Sequence, residues 1–263
     1  NMDYLFENCH FFNEDISKWN VANITDMSYF FHGSESFNRD ISKWQLNTNH
    51  INMTGMFAST KKFNNNLNWN NTSYIKSMNS MFSDAQIFNN DSINNWNVSN
   101  VTDMKAMFYN TPVFNVELSN WRVSTVLNMD SMFEKSSDFN STLFIGSTVN
   151  KVLTMNSMFK DASKFNIEIS KWNVSNVTDM SSMFENCTTY NKPIKWGDNT
   201  SSVITMNSMF KKCFIFNNNI SNWNTNNVTN MSSMFENAIN FNYNFQIWNL
   251  TKVITPGSKC NCK

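Results

Sequence analysis

Phe165-Asn-Ile-Glu-Ile-Ser-Lys-Trp-Asn-Val-Ser-Asn-Val-Thr-Asp-Met-Ser-Ser-Met-Phe-Glu-Asn-Cys187 is the stretch whose reading decides the fold. Its closing phrase, Met-x-x-Met-Phe, begins at Met180 and also at Met2, Met27, Met53, Met78, Met104, Met129, Met155, Met206 and Met231. The intervals alternate strictly between 25 and 26 residues, and Leu5 and Phe30 replace the second Met in the first two copies. Ten copies fill the 263 residues from end to end. A unit this short cannot bury its own apolar face and must lie on a neighbour, so stability accrues from interface to interface.

The remaining columns keep step. The motif Phe recurs in all ten units, from Phe6 to Phe235, and six residues later an aromatic precedes Asn, from Phe12-Asn13 to Phe241-Asn242, with Tyr190 the one Tyr. All nine Trp share one further column, Trp19, Trp44, Trp69, Trp96, Trp121, Trp172, Trp196, Trp223 and Trp248, and all 18 Met fall in the two Met columns. Residue types confined in this way point inward. Met at i and i+3 with Phe at i+4 occupy one side of a short helical turn. The residue before the first Met is Asn, Asp, Ser or Thr in every unit, a helix N-cap type. Each unit therefore reads as an extended segment around Ile-Ser-Lys-Trp, a turn, and a short capped helix. The expected fold is an α/β repeat solenoid, leucine-rich-repeat-like, of ten coils over 1–255, followed by a tail at 256–263 where Pro256-Gly257 ends the pattern. A β-helix-like solenoid is the alternative.

Composition narrows the function classes. Twenty basic residues balance twenty acidic ones, which gives no basic surface for nucleic acid or for a polybasic contact with membrane. No apolar run reaches the ~20 residues of a spanning helix, so membrane insertion is not expected. Asn is the outstanding residue, 50 of 263. One Asn column is unbroken: Asn13, Asn38, Asn64, Asn89, Asn115, Asn140, Asn166, Asn191, Asn217 and Asn242. Two readings of it stand. In one, the side chains form a buried ladder at the strand spacing of ~4.8 Å and satisfy the backbone of each bend. In the other, Asn tolerates left-handed turns in a chain with only 5 Gly.

The phrases at 165–187, echoed at 12–31 and 216–237, resemble the BspA-like surface-protein repeat, a leucine-rich-repeat variant of cell and virion surfaces. The resemblance covers essentially the whole chain. It implies an α/β solenoid acting in adhesion or recognition and brings no catalytic residues. The pattern departs at 139–154, which lacks Trp, and at 190–205, where Pro193 and Gly197 intrude.

Chemistry-bearing residues follow the columns. Cys9, Cys187 and Cys213 lie three residues after the motif Phe, in a column otherwise Ser, Thr or Ala, and read as small buried residues. Cys187 and Cys213 are in adjacent units, within disulfide reach of ~4.4–6.8 Å, so an oxidised pair is the alternative. Cys260 and Cys262 leave a clasp, an intermolecular bridge or disorder open. His10, His32 and His50 occupy three different columns, which excludes a metal ladder and gives no consistent acidic partner. Asp15, Asp40, Asp91, Glu117 and Glu168 share a column that suits turn stabilisation better than calcium, because Gly-rich loops are absent. Neither a metal nor a cofactor is expected, and no catalytic residue: one pattern stacked ten times does not converge unlike groups at one point. The 16 Asn-x-Ser/Thr sequons follow from the repeated Asn-Val-Ser-Asn-Val-Thr phrase.

The expected function is non-enzymatic recognition or adhesion at a cell surface, or on a virion, with a protein or glycan ligand. Phe144, Ile145 and Gly146, at the break in the pattern, are the candidate binding residues; the competing reading places Phe144 or Ile145 in the core where Trp is missing. The alternative function is a filament, fibre or virion subunit that binds copies of itself through its amino-terminal edge. That edge is expected to be covered by more chain, by a cap or by another subunit.

Overall fold

A computed structural model describes residues 1–144, 149–243 and 246–254. Successive units lie one on the next in parallel. The residue before each first Met forms the ladder: Asp26, Asn52, Ser77, Asp103, Asn128, Thr154, Asp179, Thr205 and Asn230 pair in sequence as parallel bridges. The pairing lengthens into named strands only at β1 (Ile51–Asn52) and β2 (Ile75–Ser77). The extended segment thus lies at the capping column, and Ile-Ser-Lys-Trp is instead a tight turn in which the Trp172 N–H donates to the Ile169 carbonyl at 3.0 Å.

The expected capped helices do not form: among the described residues there is no α-helix, only three short 3-10 turns at Thr72–Tyr74, Asp91–Asn95 and Gly197–Thr200. Met-x-x-Met-Phe folds as consecutive turns whose N–H groups alternate in direction. The Phe30, His32 and Ser34 N–H groups donate back to the Met27, Tyr29 and Phe31 carbonyls at 3.3, 3.0 and 2.9 Å. Those of Met27, Tyr29, Phe31 and Gly33 donate across to Asn52, Thr54, Met56 and Ala58 at 2.9, 2.7, 2.9 and 2.9 Å. Two left-handed residues per unit produce the alternation, for example Ser182 (φ 54°) and Asn186 (φ 61°). A five-residue motif cannot offset the cost of nucleating a helix, whereas the same N–H groups find ready acceptors one unit away. Asn, Asp and Ser before Met still accept a backbone N–H two residues on, Asp179 from Ser181 at 2.8 Å, but what they stabilise is a turn. Gly55 stands in one left-handed column (φ 59°), and a Cβ there would meet the Tyr29 ring at 2.5 Å. The glycine serves both the backbone and the ring laid over it.

The core is a zigzag of aromatic rings. Within a unit the two rings stack closely, Phe133 on Phe139 at 4.1 Å. Between units the motif rings stack in one line, Phe108–Phe133 and Phe133–Phe159 at 5.6 and 5.7 Å. The second aromatics form a parallel line, Phe114–Phe139 and Phe139–Phe165 at 5.8 and 6.1 Å. The indoles of Trp44, Trp69, Trp96, Trp121, Trp196 and Trp223 donate Nε1–H to a carbonyl of the preceding unit, as Trp121 does to Ile93 at 2.9 Å. Charge is arranged between units as well: Glu134, Lys160, Glu185, Lys211 and Glu236 alternate in sign along one column, with ion pairs Lys160–Glu185 (3.2 Å) and Lys211–Glu236 (3.1 Å).

Phe133→Ala opens a cavity in both ring lines and is expected to cost about 3–5 kcal/mol. Asn115→Ala removes the acceptor of the Asn140 N–H (2.8 Å) and is expected to cost about 0.5–1.5 kcal/mol. Denaturant unfolding of both variants measures the gap; equal losses would contradict the primacy of the rings.

Candidate functional site

The ten asparagines connect without a break. Each Oδ1 accepts the backbone N–H of its counterpart in the next unit, from Asn13 to Asn38 at 3.0 Å through Asn115 to Asn140 at 2.8 Å to Asn217 to Asn242 at 3.2 Å. The column lies at the surface, where most of its members are exposed, so the burial expected for it is corrected. A second polar column escapes a reading of the invariant positions, since its residue type changes: Asn100, Thr125, Asn176, Ser202 and Asn227 donate to the carbonyls of Ser73, Ser99, Asn150, Ser175 and Ser201 at 2.8, 2.9, 2.6, 2.6 and 2.9 Å.

Phe144 is not a surface binding residue. It is 3% exposed and stacks on Trp172 at 5.8 Å, filling the core where unit six has no Trp. Ile145, Gly146, Cys260, Cys262 and the tail from 256 lie outside the described residues. Cys187 and Cys213 are buried free thiols that donate to the Phe159 and Phe184 carbonyls, each at 2.8 Å, and burial pushes both thiols up. Their column is thus a donor position, shared with Ser34 and Thr111, whose hydroxyls reach Phe6 and Phe82. Cys9 is exposed. His32 pairs with Glu7 at 3.1 Å and His10 approaches Glu35 at 3.7 Å, so two histidines do have carboxylate partners, each in the neighbouring unit. Asp15 and Asp40 accept the Ser17 and Ser42 N–H groups at 2.9 Å, the local turn role. Among the described residues no three His, Cys, Asp or Glu side chains are placed to hold a metal.

Among the described residues a groove of about 470 Å³ lies between units four and five, lined by Asn95, Trp96, Asn97, Val98, Ser99, Asn120 and Arg122. An irregularity precedes it. Trp96 stands eight residues after Phe88, where Trp121 stands seven after Phe114. The extra residue is taken up by the 3-10 turn Asp91–Asn95, capped by Asn90, whose Oδ1 accepts the Ser92 N–H. Across the groove the Asn120 N–H donates to Asn94 Oδ1 at 3.3 Å. The uneven Trp spacing and the one Arg in an Asn/Gln-rich column are the sequence signals of this place.

With this geometry established, comparison with known families is informative. A family model described as Mycoplasma protein of unknown function, DUF285, matches residues 1–91, 45–145 and 146–213. The chain belongs to this repeat family. No curated protein matches it.

Two buried groups generate predictions. The Tyr190 hydroxyl is buried with no hydrogen-bond partner among the described residues, in a column otherwise Phe. Tyr190→Phe is expected to raise stability by about 1–2 kcal/mol in denaturant unfolding, since it removes an unsatisfied polar group. The Asp130 carboxyl is raised above its ordinary value by burial, against the hydrogen bonds from Thr154 and the Asn156 N–H. A raised acid contributes stability that is full below the unfolded value of 3.8 and is lost as pH rises through the folded value. Asp130→Asn, which keeps the accepting oxygen, is expected to exceed the parent in melting temperature at neutral pH and to match it below pH 3.8; an unchanged difference across that range would refute the assignment.

Proposed function

We propose that the chain is a non-enzymatic recognition or adhesion module, a leucine-rich-repeat-like solenoid displayed at a cell or virion surface for a protein or glycan ligand. The carrying observation is the contrast between inward and outward columns. The inward positions repeat Met, Phe and Trp, while the position beside the parallel ladder varies, Thr25, Ile51, Lys76, Thr102, Leu127, Leu153, Thr178, Ile204 and Thr229, and all of these but the buried Ile51 reach the surface. Leu127, Leu153 and Ile204 are 42, 48 and 48% exposed there. Apolar side chains grouped on a surface that could have carried Thr throughout mark an interaction site.

The triple variant Leu127→Thr, Leu153→Thr, Ile204→Thr borrows the residue already used at Thr102 and Thr178. On arrays of extracellular-matrix proteins and glycans the parent is expected to be retained, and the variant to bind about tenfold more weakly at an unchanged melting temperature. Absence of retention on every surface would overturn the reading.

A second reading is a self-stacking filament or fibre subunit joined through its amino-terminal edge. Its partner would be a copy of the chain laid on that edge. Electron microscopy of concentrated protein separates the two: rods support stacking, and dispersed particles remove it.

A further inference from the structure

The asparagine ladder uses only half of each carboxamide. From Asn38 to Asn217 every Oδ1 is committed to the N–H of the next unit, whereas among the described residues no acceptor lies within hydrogen-bonding reach of any of these Nδ2 atoms. Along that stretch only Asn166 is half-buried; its counterparts are exposed. The accepting oxygen does not account for the residue type. Elsewhere an N–H of the next unit is met by the Thr72 hydroxyl, which accepts from Asn97 at 2.8 Å, and by the Asp130 carboxyl, which accepts from Asn156 at 2.9 Å. The column before the first Met mixes Asp26, Asn52, Ser77 and Asp103, so single carboxylates and hydroxyls are compatible with stacked units. What Asn alone among these supplies is an uncharged nitrogen with two donor hydrogens.

The result is a file of neutral donors, one per unit. The rings one residue earlier advance by 5.6–6.2 Å per unit, and the amides advance with them. A ligand that meets several amides at once must present uncharged acceptors at that interval. A peptide strand laid along the file turns carbonyls to one side only at every second residue, roughly 6.6 Å apart, and drifts out of register within a few units. A pyranose with its glycosidic oxygen is about as long as one unit is thick, and a β-1,4 linkage keeps that advance constant along a straight line. Charge narrows the class further: two residues after the ladder stand Asp15, Asp40, Asp91, Glu117 and Glu168, with no cation in that column, so a polyanion is repelled. We propose that the asparagine file binds an extended, neutral, β-1,4-linked polysaccharide, one sugar per unit, with Nδ2 donating to hydroxyl and ring oxygens. Each contact is weak alone, and affinity grows with the number engaged. The proposal rests on the recognition reading and gives it a ligand class and a column other than that of Leu127, Leu153 and Ile204.

Calorimetric titration of the full chain with cellobiose, cellotetraose and cellohexaose tests it, with C6-carboxylated cellohexaose as the charged control. Affinity is expected to rise about tenfold or more from dimer to hexamer, and the carboxylated hexamer to bind about tenfold more weakly than the neutral one. Asn140→Asp combined with Asn191→Asp keeps both accepting oxygens and sets the new charges two units apart, beside the uncharged Thr142 and Pro193. That variant should weaken cellohexaose about tenfold at an unchanged melting temperature. The length series needs no variant and decides the matter even if the double substitution unfolds. Absence of cellohexaose binding, affinity indifferent to length, equal binding of the carboxylated hexamer, or a folded double variant that binds like the parent would overturn the proposal. The array experiment keeps the two ideas apart: parent retained on proteins but on no neutral glycan sinks the asparagine file and leaves recognition standing.

Discussion

Everything in this molecule depends on contact between consecutive units through stacked rings. Each unit sets two aromatic rings into a pair of lines that run from Phe6 to Phe235 and from Phe12 to Phe241. A single stacked pair contributes about 0.5–1.5 kcal/mol beyond its buried area. Repetition along the whole chain makes that term dominant, and it sets the spacing at which all other groups must find partners. The hydrogen bonds follow from it: half the N–H groups of the Met-x-x-Met-Phe segment leave their own unit because an acceptor is held opposite them.

That constraint explains which parts of the sequence were legible. The inward columns were plain because a misplaced ring would cost several kcal/mol, so Met and Trp are confined to them and most Phe falls in them. The Asn column was plain for a related reason: each Oδ1 serves the same N–H in the next unit, and a substitution that removes Oδ1 would leave that N–H without its acceptor. The helix was misread because Met at i and i+3 with Phe at i+4 satisfies a chain of tight turns as well as it satisfies a helix. Only the left-handed residues, among them Ser182 and Asn186, distinguish the two, and Ser gives little warning of that conformation.

The functional surface was less legible. Phe144 drew attention as a break in the pattern, yet burial against Trp172 shows the break repaired from within. The groove arises from a one-residue excess between Phe88 and Trp96, a change of spacing rather than of residue type. Repeat order reveals what must be the same in each unit. Departures from it acquire meaning only when the neighbouring unit is in view, as Asn120 and Arg122 are for Asn95 and Asn97.

The alternating column Glu134, Lys160, Glu185, Lys211, Glu236 bears on how such an array changes length. Electrostatically its smallest interchangeable piece is not one unit but two, 51 residues, the separation of Glu134 from Glu185 and of Lys160 from Lys211. Loss or duplication of a single unit would set like charges face to face, whereas loss or duplication of a pair restores the register unharmed. Within this region, inheritance by doublets is the neutral step.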